Sequence, residues 1–287
     1  MDDCINKNNP NTNSKSEIEK LLISNFFQNQ RLNDDFHIKF QDIEFWKWLI
    51  ELYDDFLLRK NNHLIVPKKI HQVWIGSKIP KKYQVWGNSW KINHPNFEYF
   101  LWDEKKILNL GLKNEKQFRS AKNVAVKSDI ARYEILNRFG GMYIDTDFEC
   151  IKPLDPKFLT YDFVAGQIFS YAPQIANGLM ISTKNNFILN NVIENLGEYN
   201  GEKTGMDIIK YSGAIYLTKT IKNLKDDARN IVLMPSQYFY PWPNFLKNEK
   251  NFNKFFTDNS FGVHHWEVSW LKKNMFQKLV DYFRNKL

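Results

Sequence analysis

The 287-residue chain has only two cysteines, Cys4 and Cys150. One pair so far apart in sequence is no disulfide framework, and no Cys/His spacing matches a zinc site. A reducing compartment is the expectation. No apolar run approaches the ~20 residues of a membrane span. The polar opening MDDCINKNNPNTNSKS lacks the apolar centre of a signal peptide. These absences predict a soluble, cytoplasmic protein with at most peripheral membrane contact. Basic residues come in short pairs, such as Lys68-Lys69, Lys81-Lys82 and Lys272-Lys273. They do not form the stripe that a nucleic-acid surface needs, so no nucleic-acid partner is expected. Internal repeats and long linkers are lacking as well.

Aromatic residues and positive charge are plentiful. There are 9 Trp, 13 Tyr and 23 Phe, and 43% of the residues are hydrophobic, which is ample for a core. The formal net charge of +8 favours anionic partners without choosing among nucleotide phosphates, acidic glycans and anionic lipid.

The chain divides by texture into three stretches. Residues 1–15 are rich in Asn, Lys and Ser and have little to bury, so a disordered tail is expected. Residues 16–65 read as a helical N-terminal extension. A capping box at Ser16 and Glu19 opens it, and a second helix is expected from Asp42 to Leu58. The wide apolar face of that helix, with Phe45, Trp46, Leu49 and Phe56, must pack on the main body. From residue 66 to 287 strands alternate with helices. Strands are expected at 70–75, 97–103, 142–144, 162–169, 176–183 and 230–234. Such alternation predicts an α/β domain with a parallel sheet built on crossovers. Helices are expected at 82–92, 104–110, 116–120, 187–196 and 206–221, the last interrupted by Gly213. QYFYPWPNF (237–245) is too rich in proline for a regular element. The chain closes with FGVHHWEVSW (261–270) and a basic amphipathic helix.

The stretch Ala125–Glu149, AVKSDIARYEILNRFGGMYIDTDFE, organises the rest. Val126, Ile130, Tyr133 and Leu136 recur at helical spacing. Gly140-Gly141 stops the helix, and a short apolar strand follows. Asp145 and Asp147 stand at its end, two residues apart and therefore expected on one side. Asp129 and Arg132 share a face of the preceding helix. Two aspartates at a strand end suit Mg²⁺ or Mn²⁺, which commonly also take substrate phosphates. Trp74, at the end of the first strand, offers a flat face for a base. His264 and His265 point to opposite sides of a strand, so at most one reaches such a site. Read alone, each of these residues also has a plain structural role. A solvated turn with a helical ion pair explains the acids, and core packing explains Trp74.

The segments VPKKIHQVWIG, HPNFEYFLWDE, KSDIARYEILNRFGGMYIDTDFE, SGAIYLT, YFYP and GVHHWEVSW occur in this order. Together, over residues 66–270, they resemble the Asp-x-Asp glycosyltransferases of family 32. That group is similar to yeast-type α-mannosyltransferases, capsular-polysaccharide transferases and clostridial glucosylating toxins. The resemblance implies a GT-A fold, a Rossmann-like mixed sheet flanked by helices. It also implies metal-dependent, retaining transfer from a nucleotide sugar, UDP-linked in preference to GDP-linked. The acceptor would be a glycan, lipid or protein hydroxyl, and polysaccharide biosynthesis is one setting. Carried over by residue, Trp74 resembles the base-stacking tryptophan, and Asp129 and Arg132 match the pair that holds the donor sugar. Asp145 matches the first motif aspartate, at ribose and sugar, and Asp147 the direct metal ligand. His264 or His265 would complete the metal or diphosphate site. Ser269 and Trp270 would contact the diphosphate and the leaving oxygen, and Asn177 the donor sugar. Ser212-Gly213-Ala214 departs from the usual Thr-Gly-Pro. The rival readings are a non-catalytic glycan- or nucleotide-binding module with a degenerate site and a glycoside hydrolase. The latter needs its two carboxylates on either side of the scissile bond.

Overall fold

The structure, a computed structural model, describes residues 42–168, 174–201 and 204–267. Ser269, Trp270, the capping box at Ser16 and the last amphipathic helix lie outside these residues. Six strands form the main sheet in the order β2 (Glu98–Trp102), β1 (Lys69–Val73), β3 (Gly141–Ile144), β6 (Ile175–Ser182), β5 (Phe163–Gln167), β7 (Ile231–Met234). β1 runs parallel to β2 and β3, and β5 parallel to β7. β6 is antiparallel to both neighbours, so the sheet is mixed. A second, two-stranded sheet pairs β4 (Phe148–Cys150) with β8 (Gly262–His264), antiparallel.

Alternation along the strands divides the core into two layers. On β3, Tyr143 faces one layer, while Met142 and Ile144 face the other. The first layer contains α3 (Glu104–Leu108), α4 (Glu115–Ser120), α5 (Val124–Phe139), α6 (Phe187–Glu194), α7 (Gly205–Tyr211) and α8 (Ala214–Asn223). The second is built on Trp90 from α2 (Lys81–Asn93), with Phe148, Phe158 and Phe239. Trp46 and Trp90 are fully buried. Removing a large apolar side chain from water stabilises the fold by ~1.5–3 kcal/mol. The helix expected near Asp42 is α1 (Ile43–Leu58). Phe45, Trp46 and Leu49 enter the first layer and Phe56 the second, so its apolar face closes the β7 side of the molecule.

The Gly-Gly turn joins α5 to β3 at a point where no side chain fits. Gly141 has φ 101°, and a β-carbon there would lie 2.6 Å from the Lys69 carbonyl oxygen. Buried His71 on β1 bonds the Gly140 carbonyl through Nε2 (3.0 Å), while its Nδ1 accepts from the Trp102 indole N–H (3.2 Å). Burial lowers the His71 pKa to about 4, so the ring is neutral and works as a structural pin.

The interruption expected at Gly213 is present: two helices break at Ser212-Gly213, where a β-carbon on Gly213 would stand 2.9 Å from Ile209 Cα. Elsewhere the structure differs from expectation. The loop at 237–245 opens as a short helix, α9 (Ser236–Phe239). Pro235 precedes it and the next proline falls at 241, so four residues are free to turn. Within the FGVHHWEVSW stretch, Gly262–His264 form a strand along the three residues of β4.

Candidate active site

The strand β3 ends at Ile144, so Asp145 and Asp147 do not alternate along it. They sit in a tight turn closed by Phe148 N–H to the Asp145 carbonyl (3.1 Å). Aspartate suits the first position of such a turn. Convergence of the two carboxylates comes from the turn and from β8 crossing beside β4. One ligand atom each from Asp145, Asp147 and His264 lie within 4.8 Å of one another. His264 Nε2 is 3.2 Å from Asp147 Oδ1 and 3.8 Å from Asp145 Oδ2. The second Asp147 oxygen accepts the Glu267 backbone N–H at 2.9 Å. His265 donates its backbone N–H to the Asp147 carbonyl (2.9 Å).

His265 itself does not reach the cluster, which corrects its place among the candidate metal ligands. Its ring turns the other way, bonds Glu149 through Nε2 (2.9 Å), and stacks on Trp86 with centroids 4.2 Å apart. Successive side chains leave an extended chain on opposite faces, and here the second face belongs to α2.

A buried network lies behind the cluster. The Arg132 guanidinium grips Asp145 with both terminal nitrogens, at 3.1 and 3.3 Å, and pairs with Asp129 at 3.2 Å. It also donates to the Asn177 carbonyl (3.0 Å) and lies 4.7 Å from the Tyr143 ring centroid. Asp129 further accepts from the Asn177 amide and the Ser212 hydroxyl, both at 2.8 Å. The Tyr143 hydroxyl donates to Asp145 (2.8 Å), and the Tyr133 hydroxyl donates to the Ser212 carbonyl (2.8 Å). A forked guanidinium between two acids satisfies charges that would otherwise be costly to bury.

The electrostatics follow from this geometry. Burial opposes ionisation of Asp145, but Arg132 and His264 overcome it and hold the carboxyl below its ordinary pKa. Burial dominates at Asp129 and raises its pKa despite Arg132. Burial also works against the Arg132 charge, yet Asp145, Tyr143 and Asp129 keep its pKa above the ordinary value. At His264 burial is again opposed, by Asp147 and Asp145, and the imidazole is pushed up to about 9. The anionic cluster thus draws a proton onto His264. A divalent cation is the other species that relieves the same charge, and carboxylate oxygens with a neutral imidazole are a suitable donor set.

Several residues that hold this site in place were not among the candidates. Gln72 donates to the Asp145 carbonyl (3.0 Å) and accepts from the Tyr99 hydroxyl. Gly178 leaves room for the carboxylate, since a β-carbon there would lie 2.7 Å from Asp145 Oδ2. The Tyr240 hydroxyl accepts the Leu179 N–H at 2.9 Å beside it. Only a tyrosine within an apolar strand (Tyr143) and a glycine inside ANGLMIST hinted at any of this. Trp74 is half-buried just past β1, its ring tilted 48° against Tyr83 at 4.8 Å, with its indole N–H bonded to the Ser77 carbonyl. Ala214, where relatives in the resemblance carry proline, is the first residue of α8. Proline and alanine are both tolerated at that position, so the departure leaves the helix start intact.

A separate cleft of about 200 Å³, near His94 and Leu154, lies by the N-terminal ends of β1 and β2, away from the carboxylates. His94 there is bonded at both ring nitrogens, to the Trp90 carbonyl and the Leu154 N–H, and its role is structural.

Residues 80–164 match the family model described as "Glycosyltransferase sugar-binding region containing DXD motif". Inositol phosphoceramide mannosyltransferase 1 of Schizosaccharomyces pombe is 31% identical over 144 residues, 47% of this chain and 44% of that protein. The chain therefore spans under half the length of that relative. An uncharacterised glycosyltransferase of Acanthamoeba polyphaga mimivirus is 30% identical over 203 residues, covering 65% of this chain and 77% of the viral protein. Among solved structures, the catalytic domain of the alpha-toxin from Clostridium novyi is 12% identical, over 93% of this chain and 91% of that one, with a TM-score of 0.49. By the match to the family model and the likeness to most of the viral protein, the chain belongs to the glycosyltransferases that contain a DXD sugar-binding region.

Proposed function

We propose that this chain is a metal-dependent, retaining glycosyltransferase that moves a sugar from a nucleotide-sugar donor to a hydroxyl acceptor. The observation that supports it best is the convergence of Asp145, Asp147 and His264 within 4.8 Å, directly against the buried Arg132–Asp129 network. In this reading Mn²⁺ or Mg²⁺ is held by Asp147, with Asp145 and His264 beside it. When bound, the cation supplies Lewis-acid neutralisation of the diphosphate's charge. Trp74 stacks the base. Arg132, Asp129 and Asn177 orient the donor sugar, their own positions set by one another. Ser269 and Trp270 contact the leaving diphosphate. The acceptor hydroxyl attacks the anomeric carbon from the face on which the diphosphate departs, so no carboxylate nucleophile is required. Inward-facing Asp129 and Asp145 share one guanidinium, an arrangement that leaves neither poised as the displaced nucleophile of a hydrolase.

The acceptor class follows the relatives' names, which carry inositol phosphoceramide, a lipid. A lipid-linked acceptor and a mannosyl donor are the first to test, alongside glycans and proteins. No helix among the described residues is long and apolar enough to cross a membrane.

The test is thermal melting of the chain against uridine- and guanosine-linked sugars, with and without Mn²⁺. A donor at 100 times its Kd adds ~2.7 kcal/mol of stability. We expect a shift with one nucleotide class, only with metal, and lost in Asp147→Asn. A folded chain that shifts with no donor refutes the transferase reading and favours a degenerate binding module.

A further inference from the structure

The ion pair Lys82–Glu267 stands between two parts of the site, Trp74 and the carboxylate cluster. Lys82 Nζ is 2.7 Å from the Glu267 carboxylate, and the two side chains are 49% and 36% exposed. A pair this open contributes ~0–1 kcal/mol to stability, so it does not explain itself as a fold-holding bond. Its placement is more informative. The Glu267 main chain is anchored on Asp147 through the 2.9 Å N–H bond. Lys82 Nζ lies 5.1 Å from the Tyr83 ring centroid and 5.8 Å from that of Trp86. Tyr83 in turn packs on Trp74 at 4.8 Å. A continuous line of contacts therefore runs from Trp74 through Tyr83, Lys82 and Glu267 to Asp147. A nucleoside diphosphate has the same order of parts: base, then phosphates, then the cation that bridges them.

We propose that Lys82 binds the diphosphate of the donor, and that Glu267 holds this lysine in the unliganded protein. The inference rests on the nucleotide-sugar reading above. The Lys82 ammonium is a compact charge with three donors on a flexible stem, suited to a phosphate that arrives and leaves. The Glu267 carboxylate is offset by Lys82. When a diphosphate enters with its cation, phosphate oxygens become the stronger partner for Lys82. The swap costs little because the pair it breaks is solvated. Lys82 is thereby a binding residue contributed by α2, distinct from the carboxylate cluster.

The experiment is calorimetric titration of the full chain, with Mn²⁺ present, using uridine and guanosine diphosphates and the corresponding free nucleosides. A charge-assisted hydrogen bond is worth ~1.5–3 kcal/mol, so Lys82→Met should weaken the diphosphate by about 10- to 100-fold. Free nucleoside, which has no phosphate to meet the lysine, should bind the variant as it binds the parent. Lys82→Arg should recover most of the loss, and Glu267→Gln should tighten the diphosphate several-fold. The exposed position of Lys82 makes a melting curve matched to the parent the expected control. If the parent binds a diphosphate and Lys82→Met binds it equally well, the inference is overturned. If Glu267→Gln weakens the diphosphate, the holding role is overturned and Glu267 serves the cation instead. If the parent binds neither diphosphate with metal, the nucleotide-sugar reading fails, and the role of Lys82 with it.

Discussion

Arg132→Met tests the network that the site rests on. Methionine follows the apolar stem of arginine and stops short of the guanidinium, so the change removes charge and hydrogen bonds while keeping the packing of the stem. It takes away the forked pair with Asp145, the pair with Asp129 at 3.2 Å, and the donor to the Asn177 carbonyl. Breaking a buried ion pair from one side costs about 3–5 kcal/mol, because the abandoned charge stays buried. A domain's whole stability is ~5–15 kcal/mol, so the variant should fold but sit near the threshold. The loss depends on pH in a defined direction. In the parent, the depressed pKa of Asp145 means stability that is present above the ordinary carboxylate range and lost as pH falls through its folded value. Without Arg132, burial raises Asp145 and lifts Asp129 further. Both then destabilise the fold in their ionised forms. The deficit should be largest at pH 8 and shrink toward pH 5. Urea unfolding of both proteins at the two pH values reads this directly. A loss under ~1 kcal/mol at pH 8, or a deficit that grows toward pH 5, would refute the account of a network held by one guanidinium.

Four further outcomes follow from the same geometry. Mn²⁺ must displace the proton that the cluster places on His264, whose pKa is about 9. Metal affinity should therefore rise nearly tenfold per pH unit from 6.5 toward 9, and calorimetry with His264→Gln should show a flat profile; a flat profile in the parent sinks the assignment. In the metal-free protein the same shift implies that His264's contribution to stability is full below pH 6.5 and fades as pH rises through about 9, which melting curves across that range will check. Gly178→Ala puts a methyl 2.7 Å from Asp145 Oδ2 and 3.2 Å from the Tyr240 hydroxyl; overpacking of this kind costs ~1–3 kcal/mol, and Mn²⁺ binding should weaken with it. Gly141→Ala meets the Lys69 carbonyl at 2.6 Å with φ at 101°, so a melting temperature equal to the parent's would contradict the turn geometry.

The two-layer α/β plan was legible because it depends on local patterns. Helical spacing at Val126, Ile130, Tyr133 and Leu136, the Gly140-Gly141 stop and the apolar run after it specify α5, its end and β3 without reference to anything distant. The break at Gly213 was equally visible. The direction of β6 was not, since an antiparallel strand has the same buried alternation as a parallel one, and pairing partners decide it. The pairing of the three-residue strands β4 and β8 escaped notice because each is held only by the other, with 111 positions between the paired Cys150 and Gly262.

The same division runs through the site. Sequence by itself determined which residue types are grouped: two acids after a strand, an acid and a base one helical turn apart, two adjacent histidines near the far end of the chain. Those are statements about neighbours, and backbone periodicity fixes neighbours. Only the tertiary structure decided which histidine turns inward. It also decided that a turn, not strand alternation, brings Asp145 and Asp147 together, and that Arg132 is shared between Asp129 and Asp145. Gln72, Ser212, Gly178 and Lys82 acquire meaning only through groups 73, 83, 33 and 185 positions away, respectively. Short-range spacing holds no information about such distances, because the strand order β2-β1-β3-β6-β5-β7 and the separate β4–β8 pair bring these segments together only in the folded chain.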